Sequence, residues 1–83
     1  MTRTVTVRYF AALADRTGCA AERVDVPPGC DVASLWTIVA TRHPGLGGVR
    51  PPPLAACDLV QSGWDRPLDD VAEVAFLPPF SGG

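Results

Sequence analysis

Only one segment of this chain carries a helical stripe long enough to cover a sheet. Behind Asp31, Val32, Leu35, Trp36 and Val39 recur at i, i+3, i+4 and i+7, the spacing of one helix face. The other apolar segments follow the strand period or form short continuous runs. Across residues 4–10, Val5, Val7 and Tyr9 alternate with Thr4, Thr6 and Arg8, which predicts a half-buried strand. Residues 23–26 alternate again and stop at Pro27-Pro28-Gly29. Residues 71–77 end in the nearly continuous run Val74-Ala75-Phe76-Leu77, which predicts a central strand covered on both faces. In 83 residues one main helix against one mixed sheet fills the available core, so the expected class is α+β in two layers.

The remaining elements are punctuated by turn chemistry. Residues 11–17 are rich in helix formers and stop at Gly18, a natural position for the left-handed residue after a helix. Asp31 is placed to cap the main helix, and Pro44-Gly45 to end it. Three Gly and three Pro make residues 45–53 a loop. Residues 54–60 read as a short strand, Gln61-Ser62-Gly63 as a turn, and residues 64–68 as irregular. No repeat or linker divides the chain. The expected organisation is one body over residues 1–77 and a C-terminal tail over residues 78–83.

Charge and reactive side chains exclude several functions. All seven basic residues are Arg, so a Schiff-base lysine and a phosphate-loop lysine are both absent. Through Cys57 six arginines stand against four acids, a balance of +2; from Asp58 onward Arg66 stands against five acids, a balance of −4. That acidic third disfavours nucleic acid and reads either as a solvated face or as a collar for a basic partner. Cys19, Cys30 and Cys57 are odd in number, lack C-x-x-C spacing and have a single His43 for company, so neither a zinc motif nor a disulfide framework is expected. Asp69 and Asp70 fit a solvated turn. The first residues lack an apolar signal core and no run reaches the length of a membrane span, so a cytoplasmic protein without membrane contact is expected.

The unusual chemistry lies at the other end. Pro78 and Pro79 cannot continue a sheet ladder, so the chain must leave the sheet there. From Pro78 to Gly83 its extended reach is ~20 Å. Gly82 and Gly83 have no side chains and could enter a channel too narrow for any Cβ. A terminal carboxylate is ionised at neutral pH and is a poor acyl electrophile, so reaction at Gly83 requires activation, for example as an acyl-adenylate. With no phosphate loop in this chain, ATP would be held by another protein.

Residues 73–83, Glu-Val-Ala-Phe-Leu-Pro-Pro-Phe-Ser-Gly-Gly, resemble the end of the MoaD-type sulfur carriers, the small subunits of molybdopterin synthase. Residues 7–18 resemble that family's first strand and helix, and Asp65-Arg66-Pro67-Leu68 also fits. The resemblance implies a ubiquitin-like β-grasp fold with a flexible Gly-Gly tail. It implies that a ubiquitin-activating-type adenylyltransferase (MoeB-type) adenylates Gly83 with Mg-ATP, that a sulfur donor converts it to a thiocarboxylate, and that no cofactor or metal is held by the carrier. The tail would then enter the large, MoaE-type synthase subunit and deliver sulfur to cyclic pyranopterin monophosphate. Phe76, Leu77, Pro78, Pro79, Phe80, Ser81 and Gly82 are the residues expected at that partner interface. Two alternatives remain open on sequence: a carrier for thiazole or cysteine synthesis, and a β-grasp interaction module whose glycine is never activated.

Overall fold

The computed structural model describes residues 2–49 and 51–79. Seven elements follow in order: β1 (Arg3–Tyr9), α1 (Ala12–Thr17), β2 (Ala21–Val26), α2 (Val32–Arg42), β3 (Leu54–Cys57), β4 (Val60–Ser62) and β5 (Glu73–Leu77). The strands form one sheet in the order β2-β1-β5-β3-β4. β1 and β5 run parallel, with Val7 opposite Val74 and Tyr9 opposite Phe76, while β1–β2, β3–β5 and β3–β4 are antiparallel. This is the mixed sheet with one main covering helix that the ubiquitin-like β-grasp expectation requires.

The period-two pattern sorts the strands as alternation demands. Val5, Val7, Tyr9, Val24, Val26, Ala55, Cys57, Val74 and Phe76 are buried, and α2 lays Val32, Leu35 and Val39 onto the same core. Trp36 packs half-buried at its margin. Asp31 caps α2 by accepting a hydrogen bond from the Ser34 amide at 2.8 Å. Gly18 closes α1 at φ 79°, its amide donating to the Ala14 carbonyl, a conformation that costs a residue with a Cβ about 1–2 kcal/mol. His43 ends α2, and a short 3-10 turn at Pro44–Leu46 follows. Leu46 anchors the Gly- and Pro-rich loop in the core. Gly45 has a steric requirement: an added Cβ would lie 2.5 Å from the Arg16 carbonyl oxygen.

Three sequence expectations are corrected. The strand over residues 54–60 is two strands, because Asp58 and Leu59 take positive φ values of 49° and 72° and form a tight hairpin turn. Residues 61 and 62 therefore belong to β4 rather than to a turn. Second, β5 is central but has a helix on one face only. On the other face Ala75 lies low between larger neighbours and the sheet is open. Third, Phe76 is fully buried, so its side chain belongs to the core and is unavailable to a docking partner. Its ring lies 4.9 Å from Trp36, 6.3 Å from Trp64 and 6.5 Å from Tyr9 between centroids. Aromatic contacts of this kind add to the transfer free energy of a buried ring.

Polar contacts tie the segment before β5 to the body. The Arg3 guanidinium donates to the Leu68 and Val71 carbonyls at 2.5 and 3.0 Å. The Asp58 carboxylate accepts from the Ala72 and Glu73 amides at 3.1 and 2.9 Å. Among the described residues no helix is long and apolar enough to cross a membrane. Replacing Phe76 with Ala is expected to destabilise the fold by about 3–5 kcal/mol, measured by urea unfolding. A loss below about 1 kcal/mol would show that the aromatic cluster is not the centre of the core.

Candidate functional site

β5 delivers the chain to its tail from the middle of the sheet. Leu77, opposite Leu54 on β3, is the last strand residue, and Leu77, Pro78 and Pro79 are all half-buried. The Phe10 amide donates to the Phe76 carbonyl at 3.2 Å, which extends the β1–β5 ladder to the point of exit. Of the residues expected at the partner interface, Leu77, Pro78 and Pro79 sit at this exit and Phe76 lies beneath it. Phe80, Ser81, Gly82 and Gly83 lie outside the described residues.

Beside the exit, the open face of the sheet forms a shallow depression of about 600 Å³ lined by Arg8, Phe10, Asp58, Leu59, Glu73 and Ala75. Phe10 is 44% exposed, Leu54 40% and Leu59 87%, which makes this side of the molecule rich in uncovered apolar groups. Arg8 and Glu73 pair across it at 2.7 Å, an exposed contact worth at most ~1 kcal/mol. Leu59 is the unusual member. It is almost fully solvent-exposed and also held in the left-handed region, so neither burial nor backbone preference accounts for a leucine there. The acidic third of the sequence divides between roles: Asp58 caps the start of β5, and Asp70 accepts from Arg66 at 3.2 Å.

A second polar group, which sequence reasoning missed, sits at the opposite edge of the sheet. The Glu22 carboxylate on β2 accepts from the Tyr9 hydroxyl at 2.6 Å, from His43 Nε2 at 2.5 Å and from the Arg42 guanidinium at 3.0 Å. Burial pushes this carboxyl up, but the hydrogen bonds from Tyr9, His43 and Arg42 outweigh it and hold Glu22 below the ordinary glutamate range. Burial, and next the carboxylate beside it, push the Tyr9 phenol well above its ordinary value, so it remains a donor. Cys19 completes the group: its sulfur, a Glu22 oxygen and a His43 ring nitrogen all lie within 4.8 Å of one another. The signal in sequence was Glu22 itself, an acid in the inward alternation of Glu22, Val24 and Val26 where an apolar residue is expected. Cys30 and Cys57 are buried, and burial followed by the Asp31 carboxylate pushes the Cys30 thiol up, which makes it a poor nucleophile.

The order β2-β1-β5-β3-β4 with a parallel central pair and one covering helix defines a small ubiquitin-like β-grasp protein whose C-terminal segment leaves from the central strand. Comparison narrows the class. The chain belongs to the ThiS family, whose model matches residues 7–83. It is 39% identical over 82 residues to the human molybdopterin synthase sulfur carrier subunit, covering 95% of this chain and 93% of that protein. Among solved structures it is similar to a putative molybdopterin converting factor subunit 1 from Pyrococcus furiosus, with a TM-score of 0.83, 25% identity and coverage of 93% of this chain and 98% of that one. It also superposes, with a TM-score of 0.62 and 22% identity, on a Helicobacter pylori structure described as a complex of subunits 1 and 2 of molybdopterin-converting factor, covering 98% of this chain and 100% of that one. The family resemblance carried by the terminal motif and the first strand is therefore borne out.

Because the folded-state pKa of Glu22 is depressed, its ionised form stabilises the fold above the ordinary glutamate range, and the gain is lost as pH falls through the folded value. Glu22→Gln should therefore cost about 1–3 kcal/mol at pH 7, and the difference from wild type should shrink under acid conditions. Urea unfolding at the two pH values tests this. A difference that grows on acidification would reverse the assignment.

Proposed function

We propose that this chain is the sulfur-carrier subunit of a molybdopterin synthase, with Gly83 as the carrying residue. The observation that carries the reading is 39% identity to the human sulfur carrier subunit over nearly the whole of both chains, joined to a family match that runs through Gly83. A carboxylate oxygen of Gly83 attacks the α-phosphate of Mg-ATP held by an adenylyltransferase, and pyrophosphate leaves. A sulfur donor then displaces AMP and leaves a thiocarboxylate. Sulfur is a soft nucleophile, and the acyl link keeps it tethered until transfer to cyclic pyranopterin monophosphate. Fully extended, six residues from Pro78 reach ~20 Å, and the two glycines add no width, which suits a tail that enters a channel in the large subunit.

The open face beside the tail is the docking surface for the large subunit. Phe10, Leu54 and Leu59 supply exposed apolar area, and Leu77, Pro78 and Pro79 continue it toward the tail. Phe80, Ser81 and Gly82 are the tail residues we assign to the same partner from the sequence. The strained and exposed Leu59 is explained if its side chain is buried by that partner. The similarity to the Helicobacter pylori complex of subunits 1 and 2 supports a partner of this kind.

Two experiments test the reading. Incubation with the adenylyltransferase, ATP and a sulfide source should add the mass of one oxygen-to-sulfur exchange at the C-terminal peptide, and the product should support dithiolene formation with the large subunit. A chain that remains unconverted while a control carrier is converted would refute sulfur carriage; one that is converted but inactive with the large subunit would refute the pathway. For docking, Leu59→Gly should leave folding stability within about 1 kcal/mol of wild type, because relief of left-handed strain offsets the entropy cost of glycine. It should weaken large-subunit affinity by about tenfold, as expected when a central apolar contact is truncated. Unchanged affinity by calorimetry would remove Leu59 from the interface.

A further inference from the structure

We propose that Cys19, Glu22 and His43 form a binding site for a divalent transition metal ion, with zinc the best match. The three come from different elements: Cys19 from the turn after α1, Glu22 from β2, and His43 from the end of α2. Each is partly buried, and one ligand atom from each falls within 4.8 Å of the other two. Zinc bond lengths of ~2.0–2.3 Å place tetrahedral ligand atoms about 3.5 Å apart, so the widest separations must close by the order of 1 Å while His43 Nε2 and Glu22 Oε2, hydrogen-bonded at 2.5 Å, part by a similar amount to admit the ion. Partly exposed side chains can supply that by small rotations. Thiolate, imidazole and carboxylate together suit zinc, and select against the hard ions magnesium and calcium, which prefer all-oxygen sites. Three protein ligands leave a fourth position for water.

The surroundings are those of a site prepared for a cation. Glu22 already gathers the Tyr9 hydroxyl, the His43 ring and the Arg42 guanidinium on its two oxygens. Arg42 is the group a metal ion would displace. Its side chain is 46% exposed and it meets Oε1 at 3.0 Å, so it can swing into solvent when a doubly charged ion takes that carboxylate. Tyr9 then remains on Oε2 and orients the carboxylate from outside the coordination sphere. On binding, the Cys19 thiol gives one proton to solvent, and the proton on His43 Nε2 shifts to Nδ1, so that the nitrogen now facing Glu22 binds through its lone pair. The ion would clip the end of α2 and the turn after α1 to the β2 edge, on the side of the sheet remote from β3 and β4.

The test uses the tag-free, reduced full-length chain. Zinc titrated in competition with a chromophoric chelator should bind at one ion per chain at micromolar metal, and cobalt should show a thiolate-to-metal charge-transfer band. Cys19→Ser should abolish that band and weaken zinc by at least about tenfold, the lower bound set by losses seen when mere supporting contacts are removed. Arg42→Gln should tighten zinc binding, since it removes the competing cation and leaves all three ligands. Absence of saturable zinc binding by the wild type, a charge-transfer band that survives Cys19→Ser, or an Arg42→Gln variant that binds no more tightly would each overturn the proposal.

Discussion

The parallel pairing of β1 with β5 is the constraint from which the rest of the architecture follows. Two parallel neighbours cannot be joined by a hairpin and require a crossover connection. Here nearly the whole intervening chain serves as that crossover, and α2 within it has one face of the sheet to cover. The first and last strands therefore meet at the centre, Val7 against Val74 and Tyr9 against Phe76, and the core condenses beneath their junction. The same pairing leaves the opposite face uncovered and makes the C-terminal segment depart from mid-sheet rather than from an edge.

Much of this was legible in the sequence because local and global preferences agree. The alternation of Val5, Val7 and Tyr9, the Gly18 stop, the Asp31 cap and the stripe of Val32, Leu35 and Val39 each specify one outcome, and the structure adopts it. The misreadings occur where tertiary context prevails. Asp58-Leu59 is a poor hairpin signal beside the usual Asn-Gly, and the turn stands because Asp58 also caps the start of β5. The run from Val74 to Leu77 looked covered on both faces because Ala75 is small enough to lie low among Arg8, Phe10 and Leu59 without a second layer.

The candidate sites were legible to different degrees. The tail was conspicuous because its chemistry is contiguous: prolines, an aromatic residue and two glycines in one stretch. Its nearness to Phe76 in sequence hid a division of labour, since Phe76 turns inward to Trp36 and Trp64 while Phe10, distant in sequence, stands exposed on the open face beside the exit. The group around Glu22 was invisible as a motif because folding alone assembles it. Only the acid at an inward strand position betrayed it.

The central placement of β5 also has a mechanical consequence. Any protein that grips the C-terminal tail and draws it into a channel pulls along the axis of a strand stitched on both flanks, to β1 on one side and β3 on the other. Tension in that direction is shared among many ladder bonds at once instead of opening them one after another like a zipper. The body can thus act as a rigid anchor while its tail is threaded, pulled and released, with no need to unravel between one cycle of use and the next.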